Sequence, residues 1–153
     1  MNKVVWSIML LPLLIGLAAG PAESEEKCKP TDPDALGPFY KPNAPRRDRV
    51  GQGYVLSGVV KSAETCRPVA GAQLEFWLAG PDGNYDDAHR ATVIADENGA
   101  YRFESNFPPR YSARPPHIHM RVTAPGFQPL VVQHYPKEGT AQGDFEVVLR
   151  RKR

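Results

Sequence analysis

The sequence predicts an all-β protein: a single antiparallel β-sandwich of about seven strands, preceded by a proline-rich N-terminal arm. Three observations lead there. The 153 residues include 16 prolines and 13 glycines, which leaves little room for long helices, because proline removes a helix hydrogen bond and clashes with the preceding turn. From Tyr54 onward, short runs of β-branched and aromatic residues alternate with polar ones at the period of a strand. Clusters of Pro, Gly and Asn separate these runs at intervals that suit a sandwich. The length, with 41% hydrophobic residues, suffices for one core and excludes two packed domains.

Residues 1–22 read as a secretory signal peptide. Lys3 precedes an apolar run from Val4 to Leu17, interrupted only by Ser7, Pro12 and Gly16, and the small residues Ala18, Ala19 and Gly20 follow. The alternative is an uncleaved anchor, but a spanning helix needs about 20 apolar residues and this run contains proline. The expected location is periplasmic or secreted, with no membrane association after cleavage. Export also lets the two cysteines, Cys28 and Cys66, pair in an oxidising compartment. That bridge would staple the arm to the body and restrict the unfolded chain by roughly 4 kcal/mol. The alternative is two free thiols; in neither case are they metal ligands.

Residues 23–53 form the arm, first acidic (Glu23, Glu25, Glu26), then rich in proline and basic residues. This composition suits an extended wrap with little core of its own. Residues 54–150 carry the sandwich, with strands expected at Tyr54 to Val60, Ala72 to Phe76, Ala91 to Ala95, Tyr101 to Phe103, His117 to Thr123, Leu130 to Tyr135 and Phe145 to Leu149. The Asn98-Gly99 step before Tyr101 is a hairpin signal. With 19 basic against 17 acidic side chains, the net charge of +2 lacks the footprint of a nucleic-acid binder. Arg46-Arg47 and Arg150 to Arg153 read as solvated charge.

The chemistry concentrates in one strand. In His117-Ile118-His119-Met120-Arg121-Val122, period two puts His117, His119 and Arg121 on one face and the apolar residues on the core face. The two histidines are then about 7 Å apart at Cα, close enough to converge on one ion; a pair of satisfied surface histidines is an equal reading. Tyr85 and Tyr111 lie in turn-rich, proline-rich loops, where no strand face requires them for packing. If both phenols ligate, the cation must be hard and highly charged to depress a phenol pKa near 10, and ferric iron fits better than zinc.

These residues resemble the intradiol ring-cleavage dioxygenases. The matching motifs run in order: Gly37-Pro38-Phe39-Tyr40, Pro68-Val69-Ala70-Gly71-Ala72, Gly83-Asn84-Tyr85, Gly99-Ala100-Tyr101-Arg102-Phe103, Arg114-Pro115-Pro116-His117-Ile118-His119 and Gln133-His134-Tyr135. The resemblance implies a non-haem Fe(III) held by Tyr85, Tyr111, His117 and His119. The implied substrates are a small aromatic diol and O2, the ring being cleaved between its hydroxyl-bearing carbons to a muconate-type diacid. It further implies that Tyr85 stays bound while Tyr111 is displaced by substrate and serves as its base. Arg114 would face the ring as a fixed cation, and Gln133 would line the pocket beside it. Tyr111 stands closer to His117 than in the larger enzymes, so a reduced pocket wall is expected. The long helical segment that dimerises catechol 1,2-type members has no counterpart, and the oligomeric state stays open.

Two other readings compete. One is a secreted transthyretin-like or carbohydrate-binding-like β-sandwich without a metal, in which the four candidate ligands fail to converge. The other is a periplasmic copper or zinc protein that uses His117 and His119 with His89 or His134, the tyrosines being bystanders.

Overall fold

A computed structural model of the chain describes residues 28–153; the expected signal segment, residues 1–22, lies outside them. Eight strands form two sheets: β1 (Tyr54–Ser62), β2 (Gln73–Trp77), β3 (Arg90–Ile94), β4 (Ala100–Ser105), β5 (Ile118–Thr123), β6 (Leu130–His134), β7 (Gln142–Asp144) and β8 (Val147–Leu149). Sheet one places β4 on one edge of β1 and both β7 and β8 on the other. Sheet two is antiparallel throughout, in the order β3-β2-β5-β6. Among the described residues the only helical element is one 3-10 turn, Asp87–His89, and no helix is long and apolar enough to cross a membrane.

The core follows from the alternation. Every second residue of β1 is buried, and Leu56, Val60 and Phe103 face Leu74, Phe76, Met120 and Val122 across the sandwich. Phe76 and Phe103 stack with ring centroids 4.2 Å apart, which joins the sheets at their centre.

Two expectations from the sequence need correction. The Asn98-Gly99 turn forms, with Asp96 Oδ1 accepting from the Asn98 and Ala100 amides, but it does not close a hairpin. Strand β3 pairs with β2 and β4 with β1, so this turn carries the chain from one sheet to the other. The cause is a contact with β1: the Gly99 carbonyl accepts from the Val60 amide at 2.8 Å, and a Cβ at Gly99 would stand 2.6 Å from the Val60 oxygen. Backbone pairing with β1 therefore begins at the turn and draws β4 away from β3. The expected last strand, Phe145 to Leu149, is shortened to β8, a further strand β7 precedes it, and both run parallel to β1. The break at Phe145 places its carbonyl against the α-carbon of Gly58, where no side chain fits, and Tyr101 OH donates to that carbonyl at 2.6 Å.

The described part of the arm, from residue 28, runs along both sheets. The Thr31 and Asp34 amides donate to Val148 and Val131, Arg46 bridges to Thr92, and the Val50 amide donates to Glu104. Its residues thus reach both sheets and cover the outer face of sheet two. Arg47 is not merely solvated: its guanidinium donates to the carbonyls of Asp87, Ala88 and Arg90 and so ties the arm to the 3-10 turn. Cys28 and Cys66 are bonded, across a separation of 38 residues. Replacing both by serine is expected to lower stability by about 4 kcal/mol, read as a lower urea midpoint with an otherwise unchanged far-ultraviolet spectrum.

Candidate metal centre

The outer face of sheet two is polar where the inner face is apolar. Residues His119, Arg121, Glu75, Trp77 and Gln133 occupy it by strand alternation, with His119 opposite both Trp77 and Gln133 in register. Charge is balanced there. Glu75 is buried and accepts from Arg121 Nη1 at 2.9 Å and from Tyr40 OH at 3.1 Å.

The four sequence-selected donors come together at the start of β5. His117 and His119 have ring centroids 4.8 Å apart, Tyr85 lies 6.0 Å from His119 and 5.3 Å from Tyr111, and Tyr85 OH stands 3.0 Å from His117 Nε2. Tyr85 reaches this point from the Gly80-to-Asn84 turn, in which the Gly80 amide donates to the Asn84 carbonyl. Tyr111 sits half-buried in a loop whose tight turn has the Arg114 amide donating to its carbonyl at 3.0 Å. Ser112, at φ 55, makes that turn possible.

Each ring is held in a form suited to donating to a cation. His117 Nδ1 donates to the Pro115 carbonyl at 2.7 Å, which leaves the Nε2 lone pair facing Tyr85. His119 lies between the Trp77 indole, stacked 4.9 Å away at 7°, and Gly37, where a Cβ would stand 3.1 Å from the imidazole Cε1. Its Nδ1 is buried without a partner, the kind of unsatisfied atom that a native core rarely leaves unless it serves a ligand. Burial first, then the electrostatic influence of the neighbouring His117 and Arg114 side chains, push the His119 pKa down to about 4, so the ring is neutral. Burial drives the Tyr85 hydroxyl up to about 12, against the opposing pull of Arg114. A phenolate at this position therefore needs a further positive charge beside it, and a highly charged cation supplies one.

Arg114 and Gln133 are also brought together: Arg114 Nη2 donates to Gln133 Oε1 at 2.9 Å and to Tyr135 OH at 3.0 Å. Asp34, Phe39 and Tyr135 also belong to this group, although residue type and spacing alone give them no role. Phe39 stacks on Tyr85 at 4.3 Å and meets Tyr111 edge-on at 5.4 Å. Its place in the Gly37-Pro38-Phe39-Tyr40 motif was the available signal. Trp77 both backs the site, through His119, and packs under the arm, contacting Tyr40 at 5.1 Å.

The other two histidines lie elsewhere. His89 Nδ1 is 2.8 Å from Asp86 Oδ1, and His134 Nε2 accepts from Tyr54 OH at 2.7 Å. Among the described residues, no three His, Cys, Asp or Glu side chains form a metal-holding group. Neither competing reading is better supported: among the described residues no all-histidine copper or zinc site is assembled, and the four candidate ligands converge. A cavity of about 100 Å³ adjoins Tyr85 on its Trp77 side, whereas wider clefts of about 450 and 470 Å³ lie at the C-terminal strand and the β3–β4 corner.

No family model matches the sequence. An intradiol ring-cleavage dioxygenase of Aspergillus niger is 27% identical over 171 residues, covering 88% of this chain and 54% of the relative. A chlorocatechol 1,2-dioxygenase of Rhodococcus opacus is 30% identical over 138 residues, covering 65% of this chain and 53% of the relative. The chain thus spans about half the length of the curated relatives it matches. Among solved structures, the dioxygenase domain of a dioxygenase and carbohydrate-binding protein fusion from Streptomyces sp. SirexAA-E superposes with TM-score 0.72 at 27% identity, covering 81% of this chain and all of that one. A hydroxyquinol 1,2-dioxygenase from Pseudomonas putida shares the fold, with TM-score 0.72 at 18% identity over 82% of this chain and 68% of its own.

The Tyr54–His134 pair predicts a pH dependence of stability apart from the cluster. Burial holds the His134 imidazole below its ordinary 6.5, so the unfolded chain binds the extra proton first. Stability from this pair is complete above that pH and is lost as pH falls through it. The urea midpoint of the metal-free chain should drop between pH 7 and 5, and His134→Gln should reduce that slope.

Proposed function

We propose that this chain, a homologue of the intradiol ring-cleavage dioxygenases, is an enzyme that splits a catechol-type ring between its two hydroxyl-bearing carbons with O2, giving a muconate-type diacid. Tyr85, Tyr111, His117 and His119 would hold a non-haem Fe(III). The carrying observation is the convergence of two phenols and two imidazoles beside a fixed guanidinium. Bound there, ferric iron would supply Lewis acidity and accept electron density from a chelated catecholate.

The protein's own groups divide the remaining work. Tyr85 is stacked on Phe39 and directed at His117, so it is the phenol held in place. Tyr111 meets its neighbours only edge-on, from a loop outside the strands, and is the phenol free to swing aside. Held as a phenolate when the metal is bound, Tyr111 would take one of the diol's two protons on its oxygen as it swings aside. Arg114 cannot lose its charge under these conditions. Held by Gln133, it faces the space where negative charge builds on the ring, and a preorganised cation there needs no reorganisation during the reaction. Phe39 covers the centre from the arm, and Trp77 backs it from β2.

The residue run from Lys3 to Gly20 and the Cys28–Cys66 bridge support work outside the cytoplasm. Small aromatic diols and O2 are the proposed partners.

The deciding measurement is the visible spectrum of the Fe(III)-loaded chain before and after anaerobic addition of catechol. A phenolate-to-iron band that shifts with catechol supports the reading; a colourless protein that does not retain iron overturns it. Tyr85→Phe and His117→Ala should each abolish the band and iron retention, measured by metal analysis. Arg114→Ala should keep the band but lower kcat about 100-fold, followed as ring-cleavage product under saturating O2.

A further inference from the structure

We propose that Asp34, on the N-terminal arm, is a positioning residue that fixes Arg114 through the hydroxyl of Tyr135. This rests on the function proposed above, in which Arg114 faces the substrate ring.

Arg114 belongs to a proline-rich loop and precedes β5. Its backbone tie there is the turn bond to Tyr111. A long, flexible side chain on such a loop points in a fixed direction only if its head is held. That head is held through Nη2, which donates to Gln133 Oε1 at 2.9 Å and to Tyr135 OH at 3.0 Å. Two neutral oxygens hold the cation and leave its charge undiminished.

Each of these oxygens is oriented in turn by the arm. Tyr135 lies just beyond β6 and is 42% exposed, so packing alone does not fix its hydroxyl. Having accepted from Arg114, that hydroxyl has one proton to give, and Asp34 Oδ2 receives it at 2.8 Å. The competing acceptor, Gln133 Oε1, is at 3.2 Å and is already occupied by the guanidinium. Gln133 Nε2 donates to the Ala35 carbonyl at 2.6 Å, which sets the direction of its oxygen toward Arg114.

Asp34 is itself well fixed. Its amide donates to Val131 at 2.8 Å, and its Oδ1 accepts from the Ala35 amide at 2.6 Å, so backbone and carboxylate are anchored to β6 and to the following residue. Partial burial works against the charged form, but the Ala35 amide, the Tyr135 hydroxyl and the Arg114 charge outweigh it and keep the carboxyl below its ordinary range. It stays an acceptor at neutral pH. The relay places a negative charge one hydroxyl away from the guanidinium, orienting it without forming a direct ion pair.

The test compares Asp34→Ala, Asp34→Asn and Tyr135→Phe in the full chain. Alanine at 34 and phenylalanine at 135 should each lower kcat about three- to tenfold, with iron content and the substrate-free visible band unchanged. The double variant should fall no further than either single one, because both break the same relay. Asparagine keeps an oxygen for the Tyr135 proton and should restore kcat to within about twofold; a purely electrostatic role would leave it as impaired as alanine. Independently of turnover, the Arg114 Nε–Hε NMR signal of the chelator-treated chain should move in Asp34→Ala and Tyr135→Phe and stay in place in Asp34→Asn. An unmoved Arg114 signal with unchanged kcat in Asp34→Ala, or effects of the two substitutions that multiply, overturns the inference. A chain without ring cleavage in which Asp34→Ala still moves the Arg114 signal overturns the proposed reaction and keeps the relay.

Discussion

The candidate centre depends on one contact, that between the arm and the outer face of sheet two. A β-sheet with one polar face ordinarily turns it to water. Here the polar face is covered, and burying Glu75, Thr92, His119 and Gln133 is tolerable only because each gains a partner or a packing surface on assembly. Tyr40 donates to Glu75, the Ala44 carbonyl accepts from Thr92, the Ala35 carbonyl accepts from Gln133, and Gly37 makes room for the His119 ring. The arm supplies these groups while contributing almost nothing to the apolar core between the sheets.

The charge states within that cover are mutually consistent. The neutral His119 imidazole, the protonated Tyr85 phenol beside His117 and the guanidinium of Arg114 meet no buried carboxylate at the donors among the described residues. The nearest buried acid, Glu75, is already paired with Arg121. Donor atoms in such a setting lack a positive charge rather than competing for an existing one, which is a reason for phenols in place of carboxylates: they stay neutral until a cation arrives.

The sequence made the strands and the donors legible for the same reason. Strand alternation is local, so the core face of β5 and the outward direction of His117 and His119 follow from adjacent residues alone. Tyr85 and Tyr111 stood out by residue type in loops without a packing face, and the motif spacing joined them to the histidines. What could not be read was non-local. Asn98-Gly99 specifies a turn but not which sheet the next strand joins; that is decided by its contact with Val60. The parallel direction of β7 and β8 and the gap at Gly58 likewise depend on a neighbour far along the chain. The participation of Asp34 and Phe39 depended on the path of an arm without periodicity, and the arm's proline content indicates extension but no destination.

That path has a kinetic meaning. Asp34 meets Tyr135 across 101 residues, and Thr31 meets Val148 across 117. Contacts so distant in sequence form late, after the entropy of closing the whole chain has been spent. A ribosome-bound chain holds β2, β3 and Tyr85 well before it holds the strands that complete the enclosure. The donor set therefore comes together as a unit, late in folding, and an incomplete chain presents isolated phenols and imidazoles with little power to trap a metal ion.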